Sequence, residues 1–242
     1  MTAERPTIVA TSGGYRPGDR TPLEFDALVR HAVELAGVSG RRPRLAYLGT
    51  AGGDQQFRTA MMAEAAREAD YALRPLQLFT MPNVADIEAY LLAADVIWVD
   101  GGSVANLLAV WRVHGLEEIF PRVWRAGVVL AGISAGSLCW FTGGTTDSFG
   151  PDLQPVTNGL DLLPYGNGVH YDSEPGRRPL VHDLVAAGTL PQTYCSDDGA
   201  GLVFSGTDLA EVVSERDGAA GYLVRRSGEG VTEERLDTRR LR

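Results

Sequence analysis

Cysteine is scarce: only Cys139 and Cys195 occur among 242 residues. Two are too few for a disulfide scaffold and lack the paired spacing of a zinc site, so reduced thiols filling core space are expected. Long apolar runs are also missing. No stretch approaches the roughly 20 apolar residues of a membrane helix, and Met1-Thr-Ala-Glu-Arg-Pro-Thr7 has no apolar run after a basic start. The expectation is a cytoplasmic protein. Basic side chains are in deficit, 22 Lys+Arg against 31 Asp+Glu for a net charge of −9. That balance repels phosphate backbones and anionic lipid surfaces, so neither nucleic acid nor membrane is an expected partner. G-x-G-x-x-G after the first strand and G-x-x-x-x-G-K are both absent, leaving Gly49-Thr-Ala-Gly-Gly53 as a weak phosphate-loop candidate. No linker, repeat or low-complexity segment divides the chain, which reads as one α/β domain over residues 1–242.

What is present is organised around Val128-Val-Leu-Ala-Gly-Ile-Ser-Ala-Gly-Ser137. An apolar run of strand length enters Gly132-Ile-Ser-Ala-Gly136, and residues able to open a helix follow. This is the pattern of a G-x-S-x-G nucleophile elbow, which needs small residues beside the serine because the tight turn brings backbone close. It would lift the Ser134 Oγ out of the carboxyl edge of a sheet and aim the Ala135 N–H at a developing oxyanion.

Upstream, strands alternate with helices. Thr7–Gly14 reads as strand and glycine turn, Pro22–Gly37 as helix, and Arg44–Ala51 as strand, with Asp54 as N-cap of a helix running to about Asp70. A third strand, Arg74–Phe79, precedes a helix over Val84–Ala94, and Asp95–Asp100 leads through Gly101-Gly102-Ser103 into another helix. Such alternation implies a parallel sheet covered on both faces, with ligand-binding loops at the strands' carboxyl ends. After residue 142 the segments shorten and read as loops and short strands. A helix over Arg178–Ala187 follows, and then a β-rich end continuing the sheet.

A serine nucleophile needs a base and a group to orient it. Of the four histidines, His31, His114 and His182 fall in helical sequence and read as packing or surface residues. His170, in Gly168-Val-His-Tyr-Asp172, lies in loop-like sequence downstream of the elbow and is the candidate base. Spacing leaves the orienting acid open among Asp147, Asp152, Asp161, Asp172 and Glu174. Asp100-Gly-Gly-Ser103 could supply a second oxyanion amide, with Ser103 as helix N-cap. Arg177 and Arg178 are the basic pair nearest His170 in sequence and could form a cationic pocket, or a structural pair with Asp172 or Glu174.

Together, Asp100-Gly-Gly-Ser-Val-Ala-Asn-Leu-Leu108, Gly132-Ile-Ser-Ala-Gly136, Thr145-Thr-Asp147 and Val169-His-Tyr-Asp172 resemble the aspartyl dipeptidase (peptidase E) family, relatives of cyanophycinase, over roughly residues 7 to 205. The resemblance implies a three-layer α/β/α sandwich with a mostly parallel central sheet, similar to class I glutamine amidotransferases with serine in place of their cysteine. It implies Ser134 as nucleophile, His170 as general base, Asp147 as orienting acid, and Gly102 and Ala135 as oxyanion amides. The implied reaction proceeds through an acyl-enzyme without metal or other cofactor, on dipeptides with N-terminal aspartate. Two departures stand out: Ser103 replaces the family's asparagine after Gly-Gly, and Val169 replaces the proline before the histidine. Arg177, Arg178 and Ser103 are the expected substrate-binding residues, a small peptide the expected partner, and a monomer or homodimer the expected assembly. The alternatives are a cyanophycinase-like peptidase or amidase with another acyl specificity, and a non-catalytic small-molecule binder on the same scaffold.

Overall fold

Short apolar runs flanked by amphipathic helices put the centre of the molecule in a parallel sheet. The computed structural model, which describes residue 3, residues 5–228 and residues 230–242, has an eight-stranded sheet. Its spatial order is Thr238–Arg240, Asp208–Ser214, Ala200–Ser205, Thr7–Thr11, Val129–Ile133, Val96–Val99, Arg44–Leu48 and Ala72–Leu76. From Thr7–Thr11 to Ala72–Leu76 every neighbouring pair is parallel, while Ala200–Ser205 joins antiparallel to Thr7–Thr11. The Thr7–Thr11 strand is buried at every residue, as expected where both sheet faces are covered. Val9, Tyr47, Trp98 and Ala131 face the helices Ala27–Leu35 and Gln56–Glu68. Ile8, Leu48, Val99 and Leu130 face the helices Val104–Val113 and Leu116–Arg125. The fold is therefore a mixed, mostly parallel α/β sandwich.

The tail only partly continues this sheet. Ala200–Ser205 and Asp208–Ser214 do, but Gly221–Ser227 and Gly230–Arg235 form a hairpin in a separate six-stranded sheet. That sheet also holds Phe141–Thr146, Gln154–Val156, Leu163–Gly168 and Thr193–Ser196, with the helix Arg177–Ala187 packed on it. Its glycines read as loop in sequence, yet here they mark close strand approach: a Cβ on Gly144 would overlap the Asn167 carbonyl. Local boundaries differ too. The first helix starts at Ala27, capped by Asp26, and the third strand is Ala72–Leu76. Asp54 caps nothing; its carboxylate accepts the N–H groups of Leu78 (2.5 Å) and Phe79 (3.1 Å), and the following helix begins at Gln56 after Gln55. Both cysteines are free and buried. Among the described residues no helix is long and apolar enough to cross a membrane.

Candidate active site

The Val129–Ile133 strand ends at Ser134, whose φ of 56° and ψ of −113° lie outside the ordinary regions for an L-residue. A Cβ at Gly136 would overlap the Val99 carbonyl, so only glycine lets the helix Ala135–Leu138 turn back over the neighbouring strand. Among the described residues Ser134 Oγ has no hydrogen-bond partner, which leaves it open to a ligand.

The expected second turn lies beside it, because Val96–Val99 pairs in parallel with Val129–Ile133. A Cβ on Gly101 would sit 3.3 Å from that of Ser134. Gly102 takes a φ of 136°, and a Cβ there would overlap the Ala51 carbonyl, so the turn admits only glycine. Among the described residues neither the Gly102 nor the Ala135 N–H has an acceptor, as donors of an oxyanion hole require. Ser103 caps the Val104–Val113 helix by accepting the Asn106 N–H at 3.2 Å.

His170 follows the Leu163–Gly168 strand of the second sheet and has a φ of 53°. Its backbone N–H donates to Ser12 Oγ (3.1 Å), while the Ser134 N–H donates to the Thr11 carbonyl (3.1 Å). Consecutive residues at the end of one strand thus hold the elbow and the histidine loop. The imidazole Nδ1 meets Asp198 Oδ1 at 2.5 Å. With its proton on Nδ1, given to that carboxylate, the ring leaves Nε2 free to act as a base.

Asp147, the acid implied by the resemblance, does not bond this imidazole. It is exposed on the turn after Phe141–Thr146. Asp172 bonds the Asp198 N–H (2.8 Å), Asp161 bonds Thr142 Oγ1 (2.6 Å), Glu174 pairs with Arg177, and Asp152 is exposed. Nor do Arg177 and Arg178 form a cationic pocket. The Arg177 side chain is 3% exposed and spends its guanidinium on the Thr145 carbonyl, Thr145 Oγ1 and Glu174. Arg178 stacks on Tyr171 and Tyr222 and pairs with Glu233. His31 and His182 bond Glu211 and Glu233, and His114 caps a helix end.

Sequence reasoning missed a cavity of about 320 Å³ beside the elbow, lined by Tyr15, Tyr47, Gln55, Arg58, Asp100, Gly101 and Ile133 among others. At its wall Asp100 accepts from Tyr47 (2.7 Å), Tyr15 (3.0 Å), the Gly101 N–H (3.0 Å) and both Nε and Nη2 of Arg58 (2.7 and 3.2 Å). Burial alone would lower the Arg58 pKa, but the Asp100 carboxylate outweighs it and holds the guanidinium charged. Burial and the same carboxylate push the Tyr15 and Tyr47 hydroxyls well up, so both remain neutral donors. Arg58 is the cation lining this cavity, and its Nη1 makes no hydrogen bond among the described residues. The sequence did carry one faint signal for Asp198, two acids before a glycine at a strand end in Ser196-Asp-Asp-Gly199. Arg58 carried none, being one of several charges on a helix. No three His, Cys, Asp or Glu side chains converge as metal ligands among the described residues.

The family model of peptidase family S51 matches residues 20–212. The chain belongs to peptidase family S51. This S51 chain is 38% identical over 217 residues to the uncharacterized peptidase YgaJ of Bacillus subtilis strain 168, covering 90% of itself and 91% of that protein. Its fold matches a crystal structure of a peptidase from an acI-B1 Actinobacterium with a TM-score of 0.71, at 20% identity and over 98% and 96% of the two chains. A putative peptidase E protein from Listeria monocytogenes EGD-e matches with a TM-score of 0.57, at 18% identity and over 96% and 98%. Family membership makes it a serine peptidase, in place of the non-catalytic reading.

Proposed function

We propose that this enzyme hydrolyses dipeptides with N-terminal aspartate through Ser134, His170 and Asp198. The observation that carries the reading is a strained, half-buried Ser134 hung from Thr11 beside a histidine loop hung from Ser12, whose imidazole Nδ1 is held by Asp198. Ser134 Oγ attacks the peptide carbonyl as His170 Nε2 takes its proton, and the Gly102 and Ala135 amides receive the oxyanion. The imidazolium then protonates the departing amine, and water activated by the same nitrogen releases the acid from the acyl-enzyme.

The acyl residue enters the cavity beside Gly101 and Ile133, where the free edge of Arg58 meets its carboxylate. We place the reaction in the cytoplasm, where two free thiols stay reduced. One observation favours a second reading: the bidentate Asp100 contact already offsets most of the Arg58 charge, which suits a polar uncharged acyl side chain or a β-aspartyl linkage.

The test is a panel of Xaa-Leu dipeptides and a β-aspartyl peptide, with EDTA throughout, against the wild type, Ser134→Ala and Arg58→Met. Cleavage of Asp-Leu that is lost in both variants supports the proposal. Full turnover by Ser134→Ala removes the nucleophile, and unchanged Asp selectivity in Arg58→Met removes the pocket. Cleavage confined to the β-aspartyl peptide selects the second reading.

A further inference from the structure

The Val169-His-Tyr-Asp172 motif holds a second charged group that the reaction leaves unused. The side chain of Asp172 turns away from the imidazole and accepts the Asp198 N–H at 2.8 Å through Oδ1, while its Oδ2 pairs with Nη2 of Arg216. Arg216 closes the circuit, because its Nε donates to the Asp198 carbonyl at 3.0 Å. Both peptide groups of Asp198 are therefore gripped by one ion pair, and among the described residues these are the hydrogen bonds its backbone makes. Neighbouring residues are anchored independently. Asp197 accepts from the Ala220 N–H (3.0 Å) and the Tyr222 hydroxyl (3.1 Å), and the Gly199 N–H donates to the Ser12 carbonyl (2.9 Å).

Burial opposes ionisation of Asp172, but the Asp198 amide and the Arg216 guanidinium together hold its carboxyl below the usual range. An isolated exposed ion pair contributes little to stability, and Arg216 is about half exposed. A planar fork binding a carboxylate and a carbonyl on opposite sides of one residue nevertheless fixes geometry.

Resting on the triad reading above, we infer that Asp172 and Arg216 are positioning residues, a bracket that sets where the Asp198 carboxylate meets His170 Nδ1. Misplacing a catalytic group by about 1 Å costs roughly a hundredfold in rate, so opening the bracket lowers kcat by about ten- to a hundredfold and leaves KM within about twofold.

The experiment measures kcat and KM for a hydrolysed dipeptide, together with the low-field NMR signal of the His170 Nδ1 proton, in Arg216→Ala, Arg216→Lys, Asp172→Asn and the Arg216→Ala/Asp172→Asn double variant. Arg240→Ala, which breaks the exposed pair with Asp217, is the control. The expected result is a kcat loss with a shifted or broadened imidazole proton in each bracket variant, a smaller effect for lysine, and a double variant no worse than Arg216→Ala. Wild-type kcat and an unmoved signal in Arg216→Ala and Asp172→Asn would overturn the bracket, as would losses that multiply in the double variant. Should Arg216→Ala fail to fold, Arg216→Lys and Asp172→Asn decide on the same criteria. The proton signal does not depend on turnover, so it judges the bracket even if Ser134→Ala refutes the triad.

Discussion

Replacing Asp198 and Asp147 in turn by asparagine separates the two candidate acids. Asp198 Oδ1 lies 2.5 Å from His170 Nδ1, and its side chain is 39% exposed. The charge-assisted hydrogen bond to the imidazolium of the transition state is worth about 1.5–3 kcal/mol at such a site. At about 1.4 kcal/mol per decade, Asp198→Asn lowers kcat roughly 10- to 150-fold. The loss approaches about 10⁴-fold where the amide NH₂ turns to the ring and enforces the wrong tautomer. Asp147 is exposed and unbonded to the ring, so Asp147→Asn leaves kcat within about twofold. Steady-state release of leucine from Asp-Leu, with circular dichroism to show that both variants fold, is sufficient. An inactive Asp147→Asn beside an unimpaired Asp198→Asn would refute the reasoning and return the role to the acid that the family resemblance implied.

Gly102→Ala puts a methyl group into the Ala51 carbonyl at a φ of 136°, displacing the oxyanion amide. Turnover falls about 10²–10³-fold, with about 1–3 kcal/mol of lost stability; near-wild-type kcat would remove Gly102 from the oxyanion hole. Asp26 caps the first helix while almost fully buried, and burial, then the Glu215 charge, raises its carboxyl from 3.8 to about 7. The folded state keeps this proton longer than the unfolded chain, so the contribution to stability falls as pH rises from about 4 to 7. The fall is a few kcal/mol at most, since each tenfold difference in proton affinity between the two states is worth about 1.4 kcal/mol. Asp26→Asn retains the cap acceptor without the charge, and urea midpoints at pH 5 and pH 8 should show a smaller decline than the wild type; an equal decline contradicts the assignment. Burial pushes the Cys139 and Cys195 thiols up, so iodoacetamide leaves the native enzyme active, whereas thiol-dependent inactivation would point away from Ser134.

Local grammar made one half of the site legible. An apolar strand followed by Gly-Ile-Ser-Ala-Gly constrains its own turn, and Gly101-Gly102-Ser103 does the same, so Ser134, Gly102, Ala135 and the Ser103 cap follow from contiguous residues. His170 could be chosen because it was the histidine outside helical sequence. Asp198 could not, since its partnership depends on the second sheet bringing Thr193–Ser196 beside Leu163–Gly168, and no spacing encodes that pairing. Proximity in sequence misled for Arg177 and Arg178, because one turn of helix directs them into the second sheet's own packing. Arg58 is remote in sequence from both serine and histidine, yet parallel strand order places its helix above the elbow. The second sheet was hidden because its strands carry glycine at close crossings, the same residues that mark turns elsewhere.

The anchoring of Ser134 on Thr11 and His170 on Ser12 bears on when the enzyme becomes active. The strand that carries both anchors pairs on one side with Val129–Ile133 and on the other with Ala200–Ser205, where Thr11 meets Gly201. Contacts so distant along the chain close late, after their loop entropy has been overcome. During synthesis the serine therefore emerges well before the residues that trap its first-strand neighbour and supply Asp198. If Ser134, His170 and Asp198 act together as proposed, peptidase competence waits until the chain has been made through about residue 205, and the order of strands in the sheet itself sets that delay.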